Sequence, residues 1–215
     1  MPSFGFLDNR RARLFGAALV AVLLLVAAYA AGYATPHITA PGDDSPEAGF
    51  ARDMTYHHSQ AVRMSFLEYD RGDATSTTGA TLHRMAYDMA TSQQYQSGVM
   101  ETWLADWGLE ALSTHGTMSW VPGGKSMLQS DGRMPGLASD DEMKRLETAN
   151  GKDADILFCQ LMIRHHLGGL HMIRAILDLT DRAEVVEMAE NMQRSQQGEV
   201  DQLRLLLKDL GGDPV

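Results

Sequence analysis

The chain has 215 residues and a formal net charge of −10, so its surface repels nucleic acid and attracts cations. No basic run is present that could follow a phosphate backbone, which argues against a nucleic-acid-binding protein. The single cysteine, Cys159, excludes an intramolecular disulfide, so the fold must depend on a packed core. Methionine is unusually frequent, with 14 residues, and all but Met1 lie beyond residue 50.

The first predicted element is an uncharged run of 20 residues, from 14 to 33. In helical form it would span about 30 Å, the thickness of the hydrocarbon core of a bilayer. Arginines precede it, so the positive-inside bias places residues 1–13 in the cytoplasm and residues 35–215 outside. We therefore expect a single-pass membrane anchor over 14–34. The alternative is a signal segment cleaved after Gly32-Tyr33-Ala34, which resembles a small-x-small cleavage site; cleavage would release a secreted protein.

A short tether over residues 35–45, rich in Pro, Gly and Asp, follows the apolar run. Ser45 and Pro46 are typical of a helix start, with Ser as the N-cap and Pro at the first helical position. Helices are predicted over 46–70 and 80–107, the second ended by Gly108. Together they form a first helix-pair repeat over 46–108.

Residues 109–150 are predicted to form a connecting loop and a short helix. The loop contains several Gly and Pro residues. Ser139 and Glu142 have the spacing of a capping box, which indicates where the short helix begins.

A second helix-pair repeat is predicted over 151–215. Its helices should cover 153–179, capped by Asp153, and 181–210, capped by Asp181 with Glu184. No run anywhere in the chain has the alternating pattern of a strand, so we expect an all-α protein.

The two helix pairs are related by an internal repeat. A shift of 108 residues aligns the His-His pair at 57–58 with the pair at 165–166, and a shift of 103 residues aligns the second helices. The aligned methionine pairs are Met54 with Met162, Met64 with Met172, Met85 with Met188 and Met89 with Met192. Two helix pairs predict a four-helix bundle, preceded here by the transmembrane helix.

At these residues the chain resembles two copies of the domain of unknown function 305 family. The hallmark is an acidic residue, a Phe, a Met and a His-His pair, followed by a downstream Met on one helix. The second copy carries it as Asp155, Phe158, Met162, His165, His166, Gly168 and Met172. The first copy departs from it beside the His pair, at residues 55–56 and 59–60. The resemblance, over roughly residues 46–211, implies a ferritin-like helical bundle and, from some members, periplasmic copper or silver binding.

Each copy places Met-x-x-His-His and a later Met on one helix face. Thioether and imidazole are soft to borderline ligands that suit Cu(I) or Ag(I) rather than Mg or Ca. Because imidazole must be neutral to bind, we expect affinity to fall below about pH 6.5, the ordinary histidine pKa. The predicted metal ligands are His57, His58, His165, His166, Met54, Met162, Met64, Met172, Met85, Met89, Met188 and Met192.

Packing is the competing explanation for the methionines, because Met fills irregular gaps in cores. Met100 aligns with Leu203, so it is expected to be plain core. Cys159 either reaches the metal site or is a buried inert thiol. The loop methionines either capture metal or cover the bundle: Met118, Met127 and Met134. His83 and His171 lie off the ligand faces and are weaker candidates. His37 and His115 are expected to be solvated.

No enzyme motif is present: no Glu stands three residues before a His, as a di-iron site needs, and there is no phosphate loop or zinc-protease motif. We expect a membrane-tethered exported protein for Cu(I) or Ag(I) buffering, trafficking or resistance, with no organic cofactor and with a copper-handling protein as partner. The alternative is a membrane-anchored helical interaction module without metal, whose Met-rich grooves receive a partner helix. Histidines that converge inside the bundle favour metal, and outward-facing histidines favour interaction.

Overall fold

The computed structural model describes residues 5–113 and 115–215, with side chains described from residue 10 onward except at 33–39 and 114. The described residues form six α-helices and one short 3-10 helix, and none of them forms a strand. The expectation of an all-α protein is therefore confirmed. His37 lies outside the described side chains.

The N-terminal helix, α1, covers Gly5–Thr39 and forms a unit of its own. Its stretch Arg10–Gly32 is long and apolar enough to cross a membrane, and none of its most apolar window is buried. The prediction of one N-terminal apolar helix is confirmed, although α1 also includes the first part of the predicted tether. A helix of this kind serves either as a membrane span or as a signal sequence.

The first helix pair consists of α2, Pro46–Arg71, and α3, Thr77–Asp106. The Ser45 side chain caps α2 as the sequence predicts. Ser76 caps α3 by accepting from the backbone N–H of Gly79 at 2.9 Å, so α3 begins three residues before the predicted start. Local capping chemistry therefore sets both starts.

The connection contains a 3-10 helix, Gly124–Met127, and α4, Asp140–Thr148. The predicted capping box of Ser139 and Glu142 is present at the start of α4. The loop before α4 is held down on α2, where Asp53 Oδ2 accepts from the N–H of Met118 at 2.8 Å. The loop is therefore a packed part of the fold.

The second helix pair consists of α5, Lys152–Leu179, and α6, Ala183–Asp209. The predicted caps Asp153 and Asp181 are wrong. Gly151 holds the N-cap position of α5, and its N–H donates to the carbonyl of Arg71 at 2.7 Å. A tertiary contact with the end of α2 thus decides where α5 begins.

Helices α2 and α5 form the central contact and run antiparallel. The Thr180 hydroxyl beyond the end of α5 donates to Glu47 at the start of α2, at 2.5 Å. Helix α3 packs on α2 and α6 packs on α5, whereas α3 and α6 contact each other little. The middle of α2 therefore crosses the middle of α5.

Two apolar clusters occupy the two ends of this assembly. The first joins the end of α2 and the start of α3 to the start of α5 and the end of α6. The second joins the start of α2 and the end of α3 to the end of α5 and the start of α6, together with the loop. Between them lies a polar belt, which we call the histidine layer: His57, His58, His165, His166, Gln93, Gln96, Gln196 and Glu199.

Candidate metal centre

Four histidines meet where α2 crosses α5. The rings of His57 and His165 lie with their centroids 3.8 Å apart and their planes 34° apart. The centroids of His165 and His166 are 6.1 Å apart. None of the four histidines is more than 1% exposed. The structure thus brings the two His pairs together inside the protein and not on separate outer surfaces.

The first histidine of each pair is hydrogen-bonded to a backbone carbonyl. Nε2 of His57 lies 3.1 Å from the carbonyl oxygen of Pro135 in the loop. Nε2 of His165 lies 3.0 Å from the carbonyl oxygen of His57. These contacts hold both rings at the helix crossing.

The second histidine of each pair is hydrogen-bonded to the outer helix of its own hairpin. Nε2 of His58 lies 2.8 Å from Oε1 of Gln96 on α3. Nε2 of His166 lies 2.5 Å from Oε2 of Glu199 on α6. The two hairpins therefore hold this histidine in the same way, once with an amide and once with a carboxylate.

Burial keeps His57, His58 and His165 neutral. Removal from water, assisted by neighbouring imidazoles, lowers the pKa of His57 to about 3 and that of His58 to about 4. Burial and the other three histidines also hold the pKa of His165 well below its usual value. The lowered pKa values oppose the expectation that binding weakens near pH 6.5, because His57, His58 and His165 stay neutral below that pH in the folded protein.

Several polar atoms of the histidine layer have no partner among the described residues. Nδ1 of His57, His58 and His166 is buried without a hydrogen bond, as are both amide atoms of Gln93. Unpaired buried polar atoms are costly, by about 1–3 kcal/mol each. A bound cation would satisfy the ring nitrogens.

The predicted methionine ligands lie on both sides of the histidine layer. They pack in the apolar clusters, and only Met188 is partly exposed. The first cluster holds Met64, Met85, Met89 and Met162, and the second holds Met54, Met172 and Met192, with Met188 at its edge.

The other sulfur candidates are packed as well. Met118 and Met134 are buried in the second cluster and Met127 packs against it, so the loop covers the bundle. Met100 is core, as predicted. Burial raises the pKa of the Cys159 thiol, assisted by nearby carboxyl groups, so Cys159 remains a protonated thiol.

Among the residues that the structure describes, no three His, Cys, Asp or Glu side chains are arranged to hold one ion. A tetrahedral zinc site of N, O and thiolate ligands is therefore not preformed. The available donors are neutral imidazole nitrogens with thioethers on the adjoining turns. Such a donor set fits a soft ion of low coordination number.

The comparisons with known proteins agree with this architecture. The model of the family described as domain of unknown function (DUF305) matches residues 47–207. The chain belongs to the DUF305 family. A comparison with curated proteins finds no match.

Solved DUF305 structures resemble the chain over most of its length. A predicted secreted DUF305 protein from Streptomyces coelicolor is 38% identical, with a TM-score of 0.72, covering 81% of this chain and 99% of its own. A DUF305 fragment from Deinococcus radiodurans is 28% identical, with a TM-score of 0.61, covering 79% and 98%. The protein CopM, in a Cu(II)-bound form, shares the fold at 23% identity, with a TM-score of 0.58, covering 77% and 97%. Its Cu(I)-bound form is 22% identical, with a TM-score of 0.58, covering 80% and 99%.

Sequence reasoning missed the residues that hold the histidines in this DUF305 protein. The shift of 103 residues aligns Gln96 with Glu199 and Gln93 with Gln196, at the level of the aligned His pairs. That register was a usable signal for the polar partners. No comparable signal marked Pro135, whose carbonyl reaches the site only through the folded loop.

Two glycines of α5 make room for those partners. A Cβ at Gly168 would lie 2.1 Å from the carbonyl oxygen of Pro135. A Cβ at Gly169 would lie 2.6 Å from Oε1 of Gln196 and 3.3 Å from Cε1 of His57. Close approach of the loop backbone to α5 therefore requires glycine at position 168, whereas a side chain at position 169 would displace the Gln196 amide.

A second buried polar group, unexpected from the sequence, lies at the end of α2. Burial and the neighbouring carboxyl group of Asp155 raise the pKa of Glu68 to about 8. Asp155 accepts from the backbone N–H of Asp73 at 2.9 Å. Glu68 is therefore largely protonated at neutral pH.

Proposed function

We propose that this protein is an exported, membrane-tethered protein that binds Cu(I) or Ag(I) at the histidine layer, for metal buffering, trafficking or resistance. The observation that carries the proposal is the buried group of four imidazoles, three of which have an Nδ1 without a partner in the described structure. In this proposal the four long helices are a ferritin-like bundle built from two repeated helix pairs, and α1 is the membrane anchor.

The chemistry of the histidine layer supports a cation as ligand. A proton does not occupy the bare nitrogens at neutral pH, because burial lowers the pKa of His57 and His58 to about 3 and 4. A soft metal ion forms a bond to a neutral imidazole without needing a charged ligand. Metal binding thus relieves the unpaired lone pairs at little cost in proton release.

Thioethers flank the same layer on both sides. Met54 precedes His57 by one helical turn, and Met162 precedes His165 in the same way. Residues three apart on a helix have Cβ atoms about 5–6 Å apart. In the proposal these two sulfurs complete a mixed N/S site without carboxylate ligands, which disfavours Ca and Mg.

The comparison proteins support copper as the metal class. CopM has been solved with Cu(II) and with Cu(I) bound. The Streptomyces relative is a predicted secreted protein, which agrees with export. A copper-handling protein that delivers or receives the ion remains part of the proposal.

The interaction-module alternative gains no support from the methionines. That alternative depends on methionines exposed in a groove that receives a partner helix, yet the aligned Met54 and Met162 are fully buried. The histidines, which it required on separate outer surfaces, lie at the helix crossing. Metal binding is therefore the function that the geometry supports best.

The test is titration of the full-length chain in detergent micelles with Cu(I) and Ag(I), against a competing chelator. The variant His57→Gln with His165→Gln keeps a side-chain N–H donor but removes two ligands. We expect it to lose more than roughly 100-fold in affinity, beyond what loss of an outer-shell group costs. The matched control is His171→Gln, an exposed histidine on α5. Equal affinity and stoichiometry in the folded double variant and the unsubstituted chain would overturn the proposal.

A further inference from the structure

The hydrogen bonds at the histidine layer determine which ring nitrogen carries the proton. The carbonyl oxygens of Pro135 and His57 and the carboxylate of Glu199 can only accept hydrogen bonds. Nε2 of His57, His165 and His166, which face these oxygens, must therefore be the N–H donors. The tautomers of His57 and His165 follow directly from the chemistry of the partner atoms, and Nε2 of His166 carries a proton toward the Glu199 carboxylate.

The fourth histidine follows the same pattern. Nε2 of His58 faces the amide oxygen of Gln96 at 2.8 Å. The shift of 103 residues aligns Gln96 with Glu199, so the two residues hold the same position in their hairpins. All four imidazoles are thus held with the proton on Nε2.

A neutral imidazole with its proton on Nε2 presents its lone pair on Nδ1. Nδ1 of His57, His58 and His166 is buried, and no described residue donates a hydrogen bond to it. The lone pairs are therefore both available and unsatisfied, on neighbouring rings at one level of the bundle.

We infer that the histidine layer takes its metal ion through Nδ1 atoms, with Glu199, Gln96 and the Pro135 carbonyl acting as positioning groups that fix the tautomer before the ion arrives. This inference rests on the proposed function. The partner of the second ring nitrogen orients a metal-bound histidine and raises its basicity. The layer is thus organised for one coordination mode, and Nε2 is excluded as a ligand atom.

The two hairpins differ in the strength of this positioning. Glu199 is a carboxylate and its side chain is 22% exposed, whereas Gln96 is an uncharged amide. A carboxylate that accepts from one ring nitrogen makes the other nitrogen a stronger metal ligand than an amide partner does. His166 is therefore the stronger ligand of the two outer histidines, and the two halves of the layer are inequivalent.

Nitrogen NMR tests the tautomers without any metal. The full-length chain, labelled with 15N at histidine and held in detergent micelles at pH 7, is measured by long-range 1H–15N correlation. Single His→Gln variants assign each ring. We expect a protonated Nε2 and a bare Nδ1 at His57, His58, His165 and His166. The exposed control His171 should show the mixture of tautomers usual in water. A bare Nε2 at any of the four would overturn the assignment there.

Addition of Ag(I) to the same sample tests the coordination mode. We expect the Nδ1 resonances to shift on binding while the Nε2–H signals persist. Ag(I) that binds and shifts Nε2 instead would overturn the inference but leave the proposed function standing. The absence of any Ag(I) or Cu(I) binding would overturn both, even with the apo tautomers as expected.

Variants at residue 199 separate positioning from a merely structural role. Glu199→Leu removes the acceptor, so His166 should return to a tautomer mixture and Ag(I) affinity should fall about 10- to 100-fold. Glu199→Gln keeps an acceptor oxygen, so His166 should keep its proton on Nε2 and the variant should keep most of its Ag(I) affinity. Glu187→Leu, at an exposed position of α6, is the control and should change neither. An unchanged tautomer in folded Glu199→Leu would show that Glu199 does not position His166.

Discussion

The rings of His57 and His165 lie against each other at the crossing of α2 and α5, tilted by 34° with centroids 3.8 Å apart and almost no exposure to solvent. The His57 ring lowers the pKa of His165, because two positive charges at this distance repel strongly in a buried site. The packing of the helix crossing therefore favours neutral rings at His57 and His165, which has consequences for the behaviour of the protein in acid.

Without metal, the protein should lose stability as the pH falls below about 6.5. In that range the unfolded chain binds protons on histidine, whereas His57 and His58 in the folded chain stay neutral until about pH 3 and 4. Each such histidine lowers the free energy of unfolding by about 1.4 kcal/mol per pH unit. Denaturant titration at pH 7, 6 and 5, followed by tryptophan fluorescence, measures this. The double variant His57→Gln with His165→Gln should show a shallower slope, and a flat profile for the unsubstituted chain would contradict the prediction.

As the pH rises, ionisation of the buried carboxyl group of Glu68 should lower the stability of the fold. Its pKa is raised to about 8, so it favours folding below pH 4.5, and that contribution is lost as the pH rises from 4.5 to 8. Glu68→Gln replaces the neutral acid with a neutral amide and should raise the melting temperature at pH 8 relative to the unsubstituted chain. Asp70→Asn, at an exposed position of the same helix, is the control. The prediction fails if Glu68→Gln and Asp70→Asn change the pH profile equally.

Gly168→Ala should destabilise the protein by roughly 1–3 kcal/mol, the usual cost of overpacking. The added Cβ would lie 2.1 Å from the Pro135 carbonyl oxygen, so the loop must move and His57 loses its Nε2 partner. Gly198→Ala is the matched control, because a Cβ there meets nothing within 4 Å. Since Ala favours helix over Gly by about 1 kcal/mol, the control should stabilise the protein. Denaturant titration of both variants measures the difference, and two changes of the same sign would refute the close-contact argument.

The sulfur ligands can be tested with little disturbance of the core. Met54→Leu with Met162→Leu conserves volume and should cost less than about 1.5 kcal/mol per site. If these thioethers bind metal, the affinity for Ag(I) should fall at least tenfold while folding persists. Met100→Leu is the control, because Met100 lies in the core and its repeat counterpart is Leu203. Competition titrations give the affinities, and an unchanged affinity in the double variant would reduce the site to imidazole ligands alone.

The N-terminal helix should keep the protein in the membrane. Its stretch Arg10–Gly32 is long enough to span the hydrocarbon core and has no buried face in its most apolar window. After a carbonate wash, the full-length chain should remain in the membrane pellet. N-terminal sequencing of any released protein is the accompanying check. Complete release of a chain that lacks the first 34 residues would establish the signal-sequence alternative.

Much of the helical framework was readable from the sequence because its signals are local. Ser45 and the Ser139–Glu142 box cap the helices that they were predicted to cap, since each contact lies within one helical turn. The predicted cap was wrong at α5, where the N–H of Gly151 donates to the carbonyl oxygen of Arg71, 80 residues away in the chain. A contact between distant segments overrode the nearby Asp153.

The sequence by itself determined which candidate ligands share a helix face. It placed a Met and a His-His pair on one face of each of two helices, because the helical period converts spacing into direction. Only the tertiary structure decided that His57 meets His165, that burial keeps both neutral, and that Nδ1 of His57 has no hydrogen-bond partner among the described residues. The physical reason is the range of the interactions. The partners of these rings lie 78 and 108 residues away, on the loop and on the crossing helix, and no periodicity along one helix encodes contacts at that separation.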